Sequence, residues 1–186
     1  MTHDLTDRLG SVVRDDEGVR LRYERRLAHP PEKVWRALTE SEHLRHWFPA
    51  DILGERREGA SLTIRFWPES VEAAGDAIAS MGVDLADPAL PGELLTWQPP
   101  RLLELTWDTD RLRYELEPDG DGTRLRFTTW PGDQSPPALT GAAAGYHACL
   151  DALGELLDTG STRTPVAATE VSDLEERYAA LVANGG

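Results

Sequence analysis

His147 and Asp151 stand one helical turn apart, a spacing at which a carboxylate can orient an imidazole for hydrogen bonding or for moving a proton. They fall in a stretch, 139–157, where Ala142, Ala143, Tyr146, Cys149, Leu150, Leu153 and Leu157 recur at i, i+3, i+4 spacing. His147 flanks that apolar stripe. It can serve as a cavity hydrogen-bond donor or general acid, or it can simply be a helix-flank histidine satisfied by Asp151.

Arg25 is the second candidate. Val19, Leu21, Tyr23, Arg25 and Leu27 alternate with Arg20, Arg22, Glu24 and Arg26, so the guanidinium shares the buried face of a strand. A cation there can hold a ligand carboxylate or hydroxyl through charge-assisted bonds, or it can pair with one of the chain's many acids. By the same parity, Tyr23, Phe66, Trp107, Tyr114 and Phe127 lie on apolar strand faces, with Tyr146 and Leu150 above them on the helix. Such rings can line a cavity with a few polar anchors or fill a solid core. Trp35 and Trp47 are expected to pack the short helices, with Trp47 nearer the pocket mouth.

Other chemistry is poorly supported. His43 and His46 lie at i, i+3 beside Glu42 but lack the further ligands of a metal centre. Cys149, the single cysteine, lies on the buried stripe near no base, and there is no partner for a disulfide or a cysteine cage. Neither a glycine-rich phosphate loop nor a serine nucleophile elbow occurs. No metal and no cofactor is expected.

The elements that must position these residues are legible from pattern and punctuation. A hairpin runs through 11–14 and 19–27. Pro30 and Pro31 open a short helix carrying Val34, Trp35 and Leu38, and Ser41 is placed to cap a second over 42–48. Strands are predicted near 52–56 and 62–66. An interruption over 68–91 reads as an insertion with one short helix. Strands at 93–98, 102–107, 112–117 and 124–129 then form an antiparallel meander. After the long helix, a linker leads to an amphipathic segment, 171–182. Residues 1–10 read as a flexible N-terminus, 11–158 as the domain, and 159–186 as linker plus C-terminal helix. The fold class is α+β: a curved antiparallel sheet gripping a long helix, a helix-grip arrangement with two short helices after the first long strand.

Composition sets outer bounds. The 186 residues are 40% hydrophobic and 28% charged, which suits one globular domain with its own core. A formal net charge of -14 repels phosphate backbones and anionic lipid, so nucleic acid and membrane surfaces are not expected partners. No apolar run reaches spanning length and no leader segment is evident, so the expected setting is the cytoplasm.

Several runs resemble one known family. Glu24 through Thr39, with its Pro30-Pro31-Glu32-Lys33-Val34-Trp35 centre, resembles the opening of the SRPBCC (START-like) superfamily. The resemblance is to the branch named for the activator of heat-shock protein 90 ATPase homologue. Trp47-Phe48-Pro49 matches a second motif of that branch. Gly92, Pro99, Pro100, Leu103, Thr106 and Trp107 match a third, and Gly145, Tyr146, His147, Leu150 and Asp151 a fourth. The resemblance implies a helix-grip fold over 10–158 apart from 68–91. It brings no catalytic set, because the branch has none in common. The leading expectation is binding of a small hydrophobic or aromatic molecule between sheet and helix, without chemistry. Two alternatives stay open. One is an enzyme of cyclase, dehydratase or hydrolase type using His147 and Asp151, with Arg25 as oxyanion or carboxylate partner. The other is a chaperone-related or stress-response interaction protein, with a protein partner or a second copy of the chain.

Overall fold

The computed structural model describes residues 8–16, 18–161 and 168–184. Most of the expected flexible N-terminus, the expected linker over 162–167, Glu17 in the first turn and the last two residues lie outside them. Along the chain come β1 (Ser11–Asp15), β2 (Gly18–Leu27), α1 (Pro31–Thr39), α2 (Ser41–Leu44), β3 (Ala50–Gly54), β4 (Ser61–Phe66) and α3 (Pro68–Ser80). There follow β5 (Ala89–Gln98), β6 (Leu102–Trp107), β7 (Asp110–Asp119), β8 (Gly122–Trp130), α4 (Pro136–Thr159) and α5 (Ala168–Asn184).

The eight strands form one antiparallel sheet in the order β1-β2-β8-β7-β6-β5-β4-β3. Strands β3 to β8 meander, and β8 returns to pair with β2, setting Tyr23 opposite Phe127 and Arg25 opposite Leu125. The short helices α1 and α2 carry the chain from β2 to the far edge of the sheet. Alternation holds as expected: β2 buries Val19, Leu21, Tyr23, Arg25 and Leu27 and turns the arginines and Glu24 between them outward. This is the helix-grip fold.

Four details differ from the pattern-based expectation. Helix α2 stops at Leu44 instead of 48, and Ser41 makes no cap: its hydroxyl donates to Asp51 at 2.7 Å. Residues 45–48 instead close successive turns, with the Phe48 amide donating to the Leu44 carbonyl at 2.8 Å. The region 68–91 holds two short helical segments where one was expected, together α3, separated by a break at Ala74 (φ −138°, ψ 29°). Its last three residues already belong to β5, which pairs with β4 from Ala89.

Helix α4 also starts earlier than its apolar stripe, because proline is accommodated in a first turn. Its burial is wider than one stripe. Ala144, His147, Ala148, Ala152 and Leu156 are buried along with Leu139, Ala143, Leu150 and Leu153, because α5 packs on the side turned away from the sheet. The small residues early in α4 allow close approach to the sheet, where the Tyr23 hydroxyl donates to the Ala143 carbonyl at 2.9 Å. At the other end Gly160 takes a left-handed conformation (φ 76°) and its amide donates to the Leu156 carbonyl at 2.8 Å. The Lys33 ammonium on α1 donates to the Leu157 carbonyl, also at 2.8 Å, adding a cation at the helix C-terminus.

Two glycines of this helix should respond oppositely to alanine. Gly160→Ala places a Cβ in left-handed backbone and should cost about 1–2 kcal/mol. Gly145→Ala adds a methyl in open space inside the helix and should gain about 0.5–1 kcal/mol. Urea unfolding midpoints measure both, and shifts of the same sign would contradict this assignment.

Candidate functional site

The sheet face under α4 brings Arg25, His147 and Asp151 together. Arg25 reaches inward from β2, 5% exposed, and His147 reaches from α4, 1% exposed. The Arg25 Nε donates to Asp151 Oδ1 at 3.3 Å, and Nη2 lies 3.2 Å from the same oxygen. Its Nη1 donates to the carbonyls of Arg8 (2.8 Å) and Glu24 (3.1 Å). The other Asp151 oxygen, Oδ2, lies 3.2 Å from His147 Nε2, within ion-pair distance but outside hydrogen-bond geometry. Asp151 thus binds a strand cation and a helix imidazole with one carboxylate.

The sequence did not point to the next partner. His147 Nδ1 lies 2.8 Å from the hydroxyl of Tyr178, a fully buried side chain of α5, and that oxygen accepts from the Gly10 amide at 2.7 Å. The network assigns the protons. Gly10 donates to the phenol oxygen, the phenol donates to Nδ1, and the imidazole proton remains on Nε2 facing Asp151. Gly10 is required sterically, since a Cβ there would run into the Tyr23 ring. The only sequence signal for Tyr178 was its place on the apolar stripe of 171–182, with Leu174, Leu181 and Val182.

Burial sets the electrostatics. It pulls the Arg25 guanidinium below its ordinary value, opposed by the Asp151 charge and assisted by Arg8. Burial also pushes Asp151 upward, but the His147 imidazole and the charge of Arg25 outweigh it, so the carboxyl sits below its usual range. Tyr23 and Tyr178 are raised, chiefly by burial, and stay protonated. The Cys149 thiol is pushed up to about 12 by burial, which makes it a core group and no nucleophile.

The aromatic candidates divide into two sets. Phe127 contacts Tyr114, Tyr146 and Tyr23 with ring centroids 4.5, 5.0 and 5.8 Å apart, and Tyr23 meets Tyr178 edge-on at 6.4 Å. Leu150 is buried above this sheet face on α4. Trp107 belongs to a separate set with Phe48 (5.2 Å) and Phe66 (5.5 Å), and Trp47 joins it through Phe48 (5.2 Å). Trp47 is buried rather than at an opening, and its indole N–H donates to the Ala37 carbonyl at 2.8 Å. Trp107 Nε1 is buried without an acceptor among the described residues.

A depression of about 380 Å³ lies on the opposite, solvent-facing side of the sheet, lined by Arg20, Arg22, Glu104, Arg111, Arg113 and Trp130 among others. Cross-strand pairing accounts for much of it. Glu104 lies 3.0 Å from Arg113 and 3.7 Å from Arg111, whose guanidinium sits 3.8 Å over the Trp130 ring. Glu40, Glu42 and His43 bring three ligand atoms within 4.8 Å, but on the surface and with both carboxylates beside Arg36. No helix among the described residues is long and apolar enough to cross a membrane.

The family model described as activator of Hsp90 ATPase homolog 1-like protein matches residues 28–158. The chain belongs to that family. This AHSA1-like assignment places it in the SRPBCC superfamily expected from its motifs, a superfamily with a ligand-binding fold. Among solved structures, CalU16 from Micromonospora echinospora is 23% identical with a TM-score of 0.66, covering 94% of this chain and 96% of that one. A conserved protein of unknown function from Enterococcus faecalis, EF2215, is 22% identical with a TM-score of 0.68, covering 95% and 92%. The protein encoded by BPP1335 of Bordetella parapertussis is 27% identical with a TM-score of 0.67, covering 86% and 84%. No curated protein matches by sequence.

The carboxylate at the centre gives a signed pH prediction. Its folded value is depressed, so the stability it contributes is present at neutral pH and is lost as pH falls below about 4. Asp151→Asn should cost about 2–3 kcal/mol at pH 7, less than a fully buried pair because Asp151 is 30% exposed. The difference from wild type should shrink by pH 3. Parallel urea-stability profiles for the two proteins from pH 7 to 2.5 would contradict the pairing.

Proposed function

We propose that this AHSA1-like protein binds a small aromatic molecule between the sheet and α4, with Arg25, Asp151 and His147 as its polar anchor. The observation that carries the reading is the convergence of a buried, paired cation, carboxylate and imidazole on a wall of aromatic rings. Binding sites of this kind are mostly apolar with a few fixed polar groups. The rings contact one another, so the ligand enters by displacing side chains rather than by filling a standing void. The single, half-buried free thiol and the acidic charge fit a cytoplasmic binding protein.

A second reading has one specific observation behind it. A carboxylate facing one imidazole nitrogen and a hydroxyl facing the other is an arrangement for taking a proton from that hydroxyl. Here the hydroxyl belongs to Tyr178, so chemistry requires a substrate hydroxyl in its place. Chaperone partnership has only the family's name in its favour.

Native mass spectrometry after incubation with a small-molecule extract tests binding. The expected result is an added mass that disappears on denaturation and is absent from a Leu150→Trp variant, whose larger side chain crowds the rings that a ligand must displace. An unchanged mass in wild type across extracts, or an adduct insensitive to Leu150→Trp, would overturn the internal site.

A further inference from the structure

Helix α5 lies beyond the residues matched by the family model, yet it contributes the group that completes the polar chain. Among its described side chains only Tyr178 and Val182 are fully buried. Val171, Leu174 and Leu181 are partly covered, and the remainder face outward. Its principal anchor is therefore a phenol. The ring sits edge-on to Tyr23 and to His147 (5.8 Å), and the hydroxyl accepts from the Gly10 N–H and meets His147 Nδ1, with the Tyr23 hydroxyl beside it.

Those are the contacts a free phenol would need: aromatic walls, one hydrogen bond received and one given. Neither partner is committed elsewhere. His147 Nδ1 makes no other hydrogen bond, and neither does the Gly10 amide, among the described residues. The carboxylate behind the imidazole is held in turn by Arg25, so the acceptor nitrogen keeps its tautomer when the hydroxyl changes.

We infer that the ligand of the Arg25–His147–Asp151 site is a phenol or aromatic alcohol whose hydroxyl takes the position of Tyr178's, and that α5 competes with it for that position. This rests on the binding reading above and supplies its ligand class. It also makes affinity dependent on α5, because a ligand must recover what the helix loses on release, and a variant with a weaker internal phenol binds more tightly.

Calorimetric titration of the full chain with 2-naphthol and with its methyl ether, 2-methoxynaphthalene, tests the inference together with amide hydrogen exchange over 168–184. Wild type should bind 2-naphthol at least tenfold more tightly than the ether, and bound 2-naphthol should lower protection of 168–184. Tyr178→Phe keeps the ring and frees both hydrogen-bonding partners, and Tyr178→Ala removes the ring as well. Each should bind 2-naphthol about tenfold more tightly than wild type, and His147→Leu should erase the preference over the ether. Equal binding of the two probes with 168–184 still protected would overturn the inference and leave the binding reading standing. No binding of either probe to wild type, Tyr178→Phe or Tyr178→Ala would overturn both.

Discussion

A guanidinium withdrawn from water between a sheet and a helix is tolerable only when it is paired, and half-buried Asp151 supplies the partner for Arg25. The pair fixes more than a local contact. Arg25 is set by the β2 register against β8, and Asp151 by its place on α4, so the ion pair fixes how the helix lies along the sheet. Tyr23, two residues before Arg25, adds a second tie to the same helix through the Ala143 carbonyl. His147, one turn before Asp151, carries the network on to α5 through Tyr178 and to the start of the chain through Gly10. Four segments, β2, α4, α5 and the start of the chain, are thus joined through one polar network, in which Arg25 and His147 touch the carboxylate and Tyr178 and Gly10 follow through the imidazole.

The sheet keeps its two faces chemically distinct. Its inner face carries aromatic rings, leucines and the buried cation of Arg25. Its outer face carries ladders of opposite charges, such as Arg126 between Glu24 and Glu117. Exposed pairs of that kind contribute little to stability, and they keep a long sheet face soluble in a chain with a large acidic excess. The inner polar network is the opposite case: a few bonds, buried or half-buried, that define which helices lie where. It also places an imidazole against the hydroxyl of Tyr178.

What the sequence disclosed follows from what local pattern can encode. The inward position of Arg25 is a matter of strand parity, and the pairing of His147 with Asp151 is a matter of helical spacing, so both were legible. That these two local facts meet in space required the fold, which the Pro30–Trp35 and Gly145–Asp151 motifs supplied by resemblance. Tyr178 and Gly10 were not legible as site residues, because their bond joins positions 168 residues apart and no periodicity reports such a contact. Parity also could not say whether Tyr23, Tyr114, Phe127 and Tyr146 line a space or fill it, since both use the same face. The ring distances show them in mutual contact. The broken α3 and the shorter α2 escape local pattern: the break at Ala74 interrupts an apolar spacing that runs through it, and the turns after Leu44 mimic helical spacing without continuing the helix.

The central claim is that His147 Nδ1 is an acceptor for a hydroxyl, held in that state by Asp151 and occupied by Tyr178 until a ligand replaces it. Nitrogen-15 NMR of the imidazole ring at neutral pH tests this directly. The account predicts a single tautomer protonated at Nε2, and an Nδ1 resonance that shifts in Tyr178→Phe and again when 2-naphthol is added. A ring protonated at Nδ1, or an Nδ1 resonance indifferent to both changes, would contradict it.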